Sequence, residues 1–412
     1  MAPPFKDDAM PLQFKDDLFE AQFLRTLGHT FYGGADIGEC FAVAGRIPNG
    51  HTERWYSEWT ALAQRLYDAG QASLLAGRGA SARDAFLRAS NYFRTAAIFL
   101  LQGPPDPRLK EAYERQREAF ARACALMRTP ADSVRIPFGD TTLHGIFLRP
   151  SVTDKPRRTL IITGGYDGTA EECFFYSGAA ALQRSYNVLV FDGPGQGEAL
   201  IRHGMKLRPD WEAVITPVMD FVLAHDLVDP DQVVLMGLSL GGYLAARGAS
   251  KEPRLAALVL DPGQYSILEE ARSRLPGFIG RQVPDGNALV LSFLNWRMKR
   301  LVAHPTEGWA LRRGMFVNGA ESPLAFLKST AAYTLEGLAP EIACPTMVCS
   351  AEGDGIGVTA KRLFDALTCV KRHAVFRTAD GAGAHCESGA RTAFNREMFD
   401  WLDTILDQIQ AG

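Results

Sequence analysis

The sequence holds no C-x-x-C pair, no H-E-x-x-H and no Cys/His cluster at metal-ligand spacing. A structural zinc, a dithiol redox centre and a metal cofactor are therefore not expected. It also lacks any long Lys/Arg run, and 44 basic against 47 acidic residues leave a net charge of -3. That balance argues against nucleic acid as a partner. No apolar window approaches the roughly 20 residues that a membrane-spanning helix needs, so no membrane partner is expected. The first residues, MAPPFKDDAMPLQFKDD, have no apolar stretch of the kind a secretory signal carries. The seven cysteines are odd in number and scattered, which fits reduced thiols in a cytoplasmic protein. The doubled FKDD, Phe5 to Asp8 and Phe14 to Asp17, has no evident chemistry and reads as a flexible leader.

What is present is ordinary globular material, 47% hydrophobic and 22% charged, enough for a large core with a smaller satellite. From about Asp17 to Arg128 apolar residues recur at helical spacing: Trp55, Trp59, Leu62 and Leu66, then Phe86, Ala89 and Phe93, then Leu109, Tyr113, Phe120 and Cys124. Residues 1–130 are thus expected to form a helical N-terminal domain, either packed on its own seam or capping a site. Past Thr129-Pro130 the pattern changes. A hairpin is expected around Phe138-Gly139-Asp140, followed by strands at Leu160–Thr163, Asn187–Phe191, Val233–Met236, Leu255–Leu260, Pro345–Ser350 and His373–Arg377. Helix-length segments separate them, which implies right-handed crossovers and a mostly parallel α/β sheet over 131–412. The stretch at about 265–338 is too long for a loop and reads as a helical insertion.

The strand Val233 to Met236 runs into Gly237-Leu238-Ser239-Leu240-Gly241 and then a small-residue helix. Strand, G-x-S-x-G and helix together make a nucleophile elbow, with Ser239 as the nucleophile. A serine hydroxyl needs a base, and the base an orienting acid, here in the order Ser, acid, His. Asp354 follows the strand at Pro345–Ser350 and is the expected acid, with Glu352 as the alternate. His385 lies in a glycine-rich loop after the strand at His373–Arg377 and is the expected base; His373 and His144 are worse placed. The N–H of Leu240 and one from the loop Thr163 to Gly168, at Tyr166 or Gly165, would form the oxyanion hole. Glu269 and Glu270 follow another strand near the expected site edge and could donate a proton to a leaving group, unless they are simply a solvated pair at a helix start. The loop Phe191-Asp192-Gly193-Pro194-Gly195-Gln196-Gly197 has the wrong glycine spacing for a dinucleotide, and no helix is expected to begin there.

Several motifs occur together: GGYDGTAEEC (Gly164 to Cys173), FDGPGQG (Phe191 to Gly197), RPDWE (Arg208 to Glu212), GLSLGGYLA (Gly237 to Ala245) and GAGAHC (Gly381 to Cys386). In these the chain resembles the 2,6-dihydroxypseudooxynicotine hydrolase-like branch of the α/β-hydrolase superfamily and, more distantly, fungal polyketide-shortening hydrolases. The resemblance covers about residues 130–410. It implies an α/β-hydrolase fold with a helical cap, a homodimer, and a triad of Ser239, Asp354 and His385. Some members cleave carbon–carbon bonds in 1,3-dicarbonyl-like compounds and others act on esters or amides. The expected activity is hydrolysis of a medium-sized apolar or aromatic small-molecule ketone or ester without a cofactor. An esterase, lactonase or amidase, or an acyltransferase or cyclase, are the alternatives.

Overall fold

The computed structural model describes residues 12–152 and 155–411. Eight strands form one sheet: β1 (Ala131–Phe138), β2 (Thr141–Leu148), β3 (Arg157–Thr163), β4 (Asn187–Phe191), β5 (Val228–Leu238), β6 (Ala257–Asp261), β7 (Thr346–Ala351) and β8 (Lys371–Phe376). Their spatial order is β1-β2-β4-β3-β5-β6-β7-β8. The β1/β2 and β2/β4 pairs are antiparallel and all later pairs parallel. The central strands are buried on both sides, so they read as unbroken apolar runs in the sequence. Alternate residues face opposite ways: Leu160, Ile162, Val234 and Met236 join one hydrophobic cluster, Ile161, Val233 and Leu235 the other.

The first of those clusters contains the N-terminal helices. These are α1 (Asp17–Leu27), α2 (Ile37–Ala44), α3 (Thr52–Leu75), α4 (Gly79–Ala97) and α5 (Pro107–Cys124). Trp55, Trp59, Phe19, Phe86 and Phe99 belong to the same continuous core as the sheet face, so their aromatic seam is closed against the sheet. Phe19 stacks on Phe99 at 4.8 Å and meets Trp55 edge-on at 4.9 Å. The second FKDD copy is built into this core: Phe14 is buried and Asp16 caps α1, accepting from Leu18 and Phe19 N–H. It is therefore not a flexible leader, while the first copy lies outside the described residues.

The insertion is helical, as expected, with helices at Ile267–Ser273, Gly277–Gly280, Ala288–Val302, Trp309–Asn318 and Pro323–Ser329. It has a small core of its own around Leu268, Leu291, Leu294, Met298 and Leu327. The helical segment between β3 and β4 begins at Ala170 and has a π-helical middle, Phe174–Gly178. One expectation needs correction here. A short helix, Gly197–Ile201, does begin at the GPGQG loop; its first turn is held by the Asp192 carboxylate, which accepts from Glu198 N–H at 2.9 Å. That carboxylate occupies the helix start where a phosphate would have to sit.

The N-terminal helices are fastened to the sheet by buried charge. Glu172 accepts from Arg25 Nε at 2.7 Å, stands 3.4 Å from Arg94 Nε and lies 3.2 Å from His29 Nε2. Asp167 pairs with Arg25 at 3.0 Å and with Arg313 of the insertion. Burial pushes both carboxyls upward, but the arginines outweigh it, holding Asp167 at about 2 and Glu172 well below the usual range. Burial lowers His29 to about 4. All three folded values are depressed, so their stabilisation is complete above the unfolded values of 3.8, 4.5 and 6.5 and is lost as pH falls. Urea midpoints are thus expected to decline from about pH 6.5 downward, first through His29 and then through the two carboxyls. Glu172→Gln, which takes the one anion from Arg94 and one of two from Arg25, is expected to cost about 3–5 kcal/mol at neutral pH, measured as a lower urea midpoint at unchanged slope.

Candidate active site

Thr163 pairs with Gly237 across β3 and β5, so the loops after these strands leave the sheet at one level. The turn after β5 is very tight. Ser239 adopts φ 58°, a left-handed conformation that costs a non-glycine residue energy. A Cβ on Gly237 would lie 1.9 Å from Gly241 O, so glycine is required there. The strain is held by a backbone bond from Ser239 N–H to Asp261 O at 2.7 Å, and the helix Gly241–Ala249 starts directly behind.

The three residues expected to act together meet here. Ser239 Oγ lies 2.8 Å from His385 Nε2, and His385 Nδ1 lies 2.6 Å from Asp354 Oδ2. A carboxylate only accepts, so Nδ1 carries the proton and Nε2 faces the serine hydroxyl as acceptor. Burial pulls the His385 pKa down, yet the Asp354 carboxylate pulls harder the other way, and the balance is above the ordinary 6.5. The Asp354 carboxylate is braced by Ile356 N–H at 2.9 Å and keeps only 2% side-chain exposure, whereas His385 keeps 34%. Glu352, the alternate acid, instead points outward and accepts from Thr378 N–H. His373 bonds Ser350 and stacks on Phe364, and His144 is buried beside Glu171.

Gly165 abuts the elbow. A Cβ there would be 2.8 Å from Ser239 Cβ and 2.9 Å from Leu240 N, so only glycine lets the two loops approach. Among the described residues neither Leu240 N–H nor Tyr166 N–H donates to another group, which leaves both available beside Ser239. Two contacts fix the Tyr166 ring: its hydroxyl accepts from Asn318 Nδ2 at 3.2 Å, and the Arg313 guanidinium lies 5.1 Å from its centre.

The two glutamates differ from one another. Glu269 pairs with Arg362 at the exposed surface. Glu270 is buried, accepts from Gln264 Nε2 at 2.6 Å and Thr359 Oγ1 at 2.9 Å, and is raised by burial above the ordinary carboxyl value. They are not a solvated pair.

Two supports were not legible beforehand. Gln196 of the GPGQG loop donates through Nε2 to Gly164 O at 2.6 Å and accepts from Gly193 N–H at 3.0 Å, pinning the loop that carries Gly165 and Tyr166. Its signal was the glycine run, whose purpose spacing alone does not reveal. Arg391 binds the Asp261 carboxylate at 2.7 Å and Cys386 O at 2.8 Å, with both charged groups 1% exposed. Cys386 and Glu387 both have positive φ, 49° and 44°, so this guanidinium holds a strained loop directly after His385. Burial raises Glu387 well above the usual carboxyl range, and the neighbouring Asp261 adds to it. No group of His, Cys, Asp and Glu suited to a metal ion occurs among the described residues.

Comparison with known proteins agrees with this architecture. Hydrolase acrC of Aspergillus aculeatus is 37% identical over 95% of this chain and 97% of its own length. The 20-hydroxy-prefusarin hydrolase FUS2 of Gibberella moniliformis is 34% identical over 95% of this chain and 97% of its own. The crystal structure of 2,6-dihydroxy-pseudo-oxynicotine hydrolase shares the fold with a TM-score of 0.73, at 22% identity, over 92% of this chain and 95% of that one. The model of the alpha/beta hydrolase family matches residues 143–395, the span from β2 to the last helix that carries both the elbow and the His385 loop, and the chain belongs to that family of hydrolases.

Proposed function

We propose that Ser239, His385 and Asp354 are the catalytic triad of a hydrolase that opens a carbonyl compound through an acyl-enzyme. The observation that carries this reading is the unbroken chain of two hydrogen bonds, 2.8 and 2.6 Å, ending on a left-handed serine. Ser239 Oγ attacks the carbonyl carbon and passes its proton to His385 Nε2. The oxygen becomes an anion between the N–H groups of Leu240 and Tyr166, with Gly165 as the alternative donor. Collapse breaks the bond to the leaving group, which takes a proton from His385 Nε2 directly or from Glu270 with the His385 proton then restoring Glu270, so that the imidazole is neutral again. Water, deprotonated by His385, then releases the acyl group as an acid and restores Ser239.

The bond we favour is carbon–carbon, in a 1,3-dicarbonyl-like ketone of medium size. A carbon leaving group needs a proton donor, and Glu270, not the surface-paired Glu269, has the raised carboxyl that suits a donor. The substrate of FUS2, 20-hydroxy-prefusarin by its name, and the likeness in fold to a 2,6-dihydroxy-pseudo-oxynicotine hydrolase are compatible with such a compound. Ester hydrolysis by the same triad is the second reading, favoured by the fact that the triad alone suffices for it. In this reading residues 1–130 serve as cap and 131–412 as catalytic domain in a cytoplasmic enzyme. A homodimer has a candidate face in the exposed Leu289, Phe293 and Trp296 of the helix Ala288–Val302.

A fluorophosphonate probe is expected to label the wild type and not Ser239→Ala; labelling that persists in the variant sinks the nucleophile assignment. Asp354→Asn is expected to lower turnover on the order of ten-thousandfold with the fold intact. The sign of its pH effect is also set. His385 must be neutral to act, and its pKa is raised chiefly by Asp354, so the acid limb of kcat/KM lies above pH 6.5 in the wild type and moves to lower pH in the variant. Gly165→Ala, whose methyl would press on Leu240 N, is expected to cost about a hundredfold to a thousandfold in kcat, measured on an activated ester. Glu270→Gln is expected to slow cleavage of a 1,3-diketone and spare that of an activated ester; equal rates on the diketone would reject carbon–carbon cleavage assisted by Glu270.

A further inference from the structure

Behind the loop that carries Tyr166 lies a small cavity with room for about 30 Å³, more than one water needs and enough for a compact polar head. Its walls come from α4, α5, the Tyr166–Thr169 loop and the helix Gly197–Ile201. They are largely apolar, with Ile98, Leu101, Leu109 and Leu200 among them, and the charged groups in the wall are Arg94 and Asp167.

Arg94 is 4% exposed, so its charge has been taken out of water. Its partners do not repay that cost. Nε stands 3.4 Å from Glu172, and Nη2 reaches only hydroxyl and amide oxygens of Thr26, Asn91 and Thr95 at 3.4, 3.3 and 3.2 Å. Nη1 has no hydrogen-bond partner at all among the described residues. The surrounding charges do not balance either. Arg25, Arg94 and Arg313 bring three positive charges to the carboxylates of Asp167 and Glu172, and Glu172 is already held by Arg25 through two bonds. His29 is neutral at physiological pH. The acids on the far side of the cavity are engaged elsewhere: Glu171 by Arg117 and His144, Asp192 by Tyr113 Oη and the N–H groups of Ala170 and Glu198. A buried, uncompensated guanidinium is costly unless something completes it.

We propose that this cavity is an anion subsite in which Arg94 binds a carboxylate of the substrate remote from the carbonyl that Ser239 attacks. This deepens the hydrolase reading and rests on it for the word substrate, but the binding itself is measured without turnover. The planar guanidinium suits a carboxylate, and the apolar walls accept the carbon chain behind it. Recognition of this kind would make the enzyme prefer keto acids or half-esters over their neutral counterparts.

The test is calorimetric titration of propionate, and of its neutral isostere propionamide, into the full-length protein. Propionate is expected to bind and propionamide to bind at least about tenfold more weakly, as the loss of a charge-assisted hydrogen bond predicts. Arg94→Met is expected to abolish the difference and Arg94→Lys to keep part of it. No binding of propionate, equal binding of the two compounds, or full propionate affinity in Arg94→Met overturns the subsite. If Arg94→Met does not fold, the comparison of the two ligands on the wild type and on Arg94→Lys decides. Failure of fluorophosphonate to label Ser239 bears on the hydrolase reading alone and leaves these binding outcomes interpretable.

Discussion

The arrangement around Ser239 hangs on Asp261. Its backbone oxygen accepts from Ser239 N–H at 2.7 Å, and its carboxylate accepts from Arg391, which in turn donates to Cys386 O at 2.8 Å. One residue at the end of β6 therefore holds two strained backbones, the elbow and the turn after His385. Each would relax if free, and relaxation of either would open the 2.8 Å contact between serine and imidazole. Buried at 1% exposure on each side, the Asp261–Arg391 pair is also one of the costliest contacts in the molecule to break, since either partner alone would be an uncompensated charge. Stability and geometry are here the same requirement.

A second ionic junction does for the Gly164–Gly168 loop what Asp261 does for the serine. The loop from Gly164 to Gly168 is rich in glycine and pays heavily in conformational entropy to stay in one shape. Gln196 fixes it from one side through Gly164 O. From the other side Asp167 is gripped by Arg25 of α1 and Arg313 of the insertion. Helix α1 and the insertion thus brace the backbone that carries Tyr166 N–H, so their packing and the aim of that group are one problem.

The sheet was legible because its strands are short apolar runs separated by helix-length segments, a pattern that buried parallel strands impose. The residues that meet at Ser239 could be picked out for a related reason: each follows a strand, and strand ends converge on one edge. What could not be read were pairs without local pattern. Arg25 and Asp167 are 142 positions apart, and Arg391 and Asp261 are 130 apart; nothing in spacing links them. The helix at Gly197 was missed because proline and glycine normally end regular structure, whereas here Asp192 restarts it by capping its first turn. The buried place of Phe14 was missed because its neighbours are charged, and those same charges, through Asp16, begin α1.

These constraints bear on how a substrate reaches the serine. Lifting α1 away would strip Arg25 from both Asp167 and Glu172 and weaken the pairing of two buried carboxylates, a cost of several kcal/mol before any chemistry. Withdrawing the helix Trp309–Asn318 would also take Arg313 from Asp167, and Trp309 Nε1 from Ile98 O. Neither element is suited to swing as a gate. His385, by contrast, keeps 34% of its side chain exposed and Ser239 is only half-buried, so solvent meets the imidazole edge without either junction breaking. The ionic clamps and this open edge are complementary: on the function proposed above, the side that presents Tyr166 N–H is locked by charge, and the side from which water would release an acyl group is left without it.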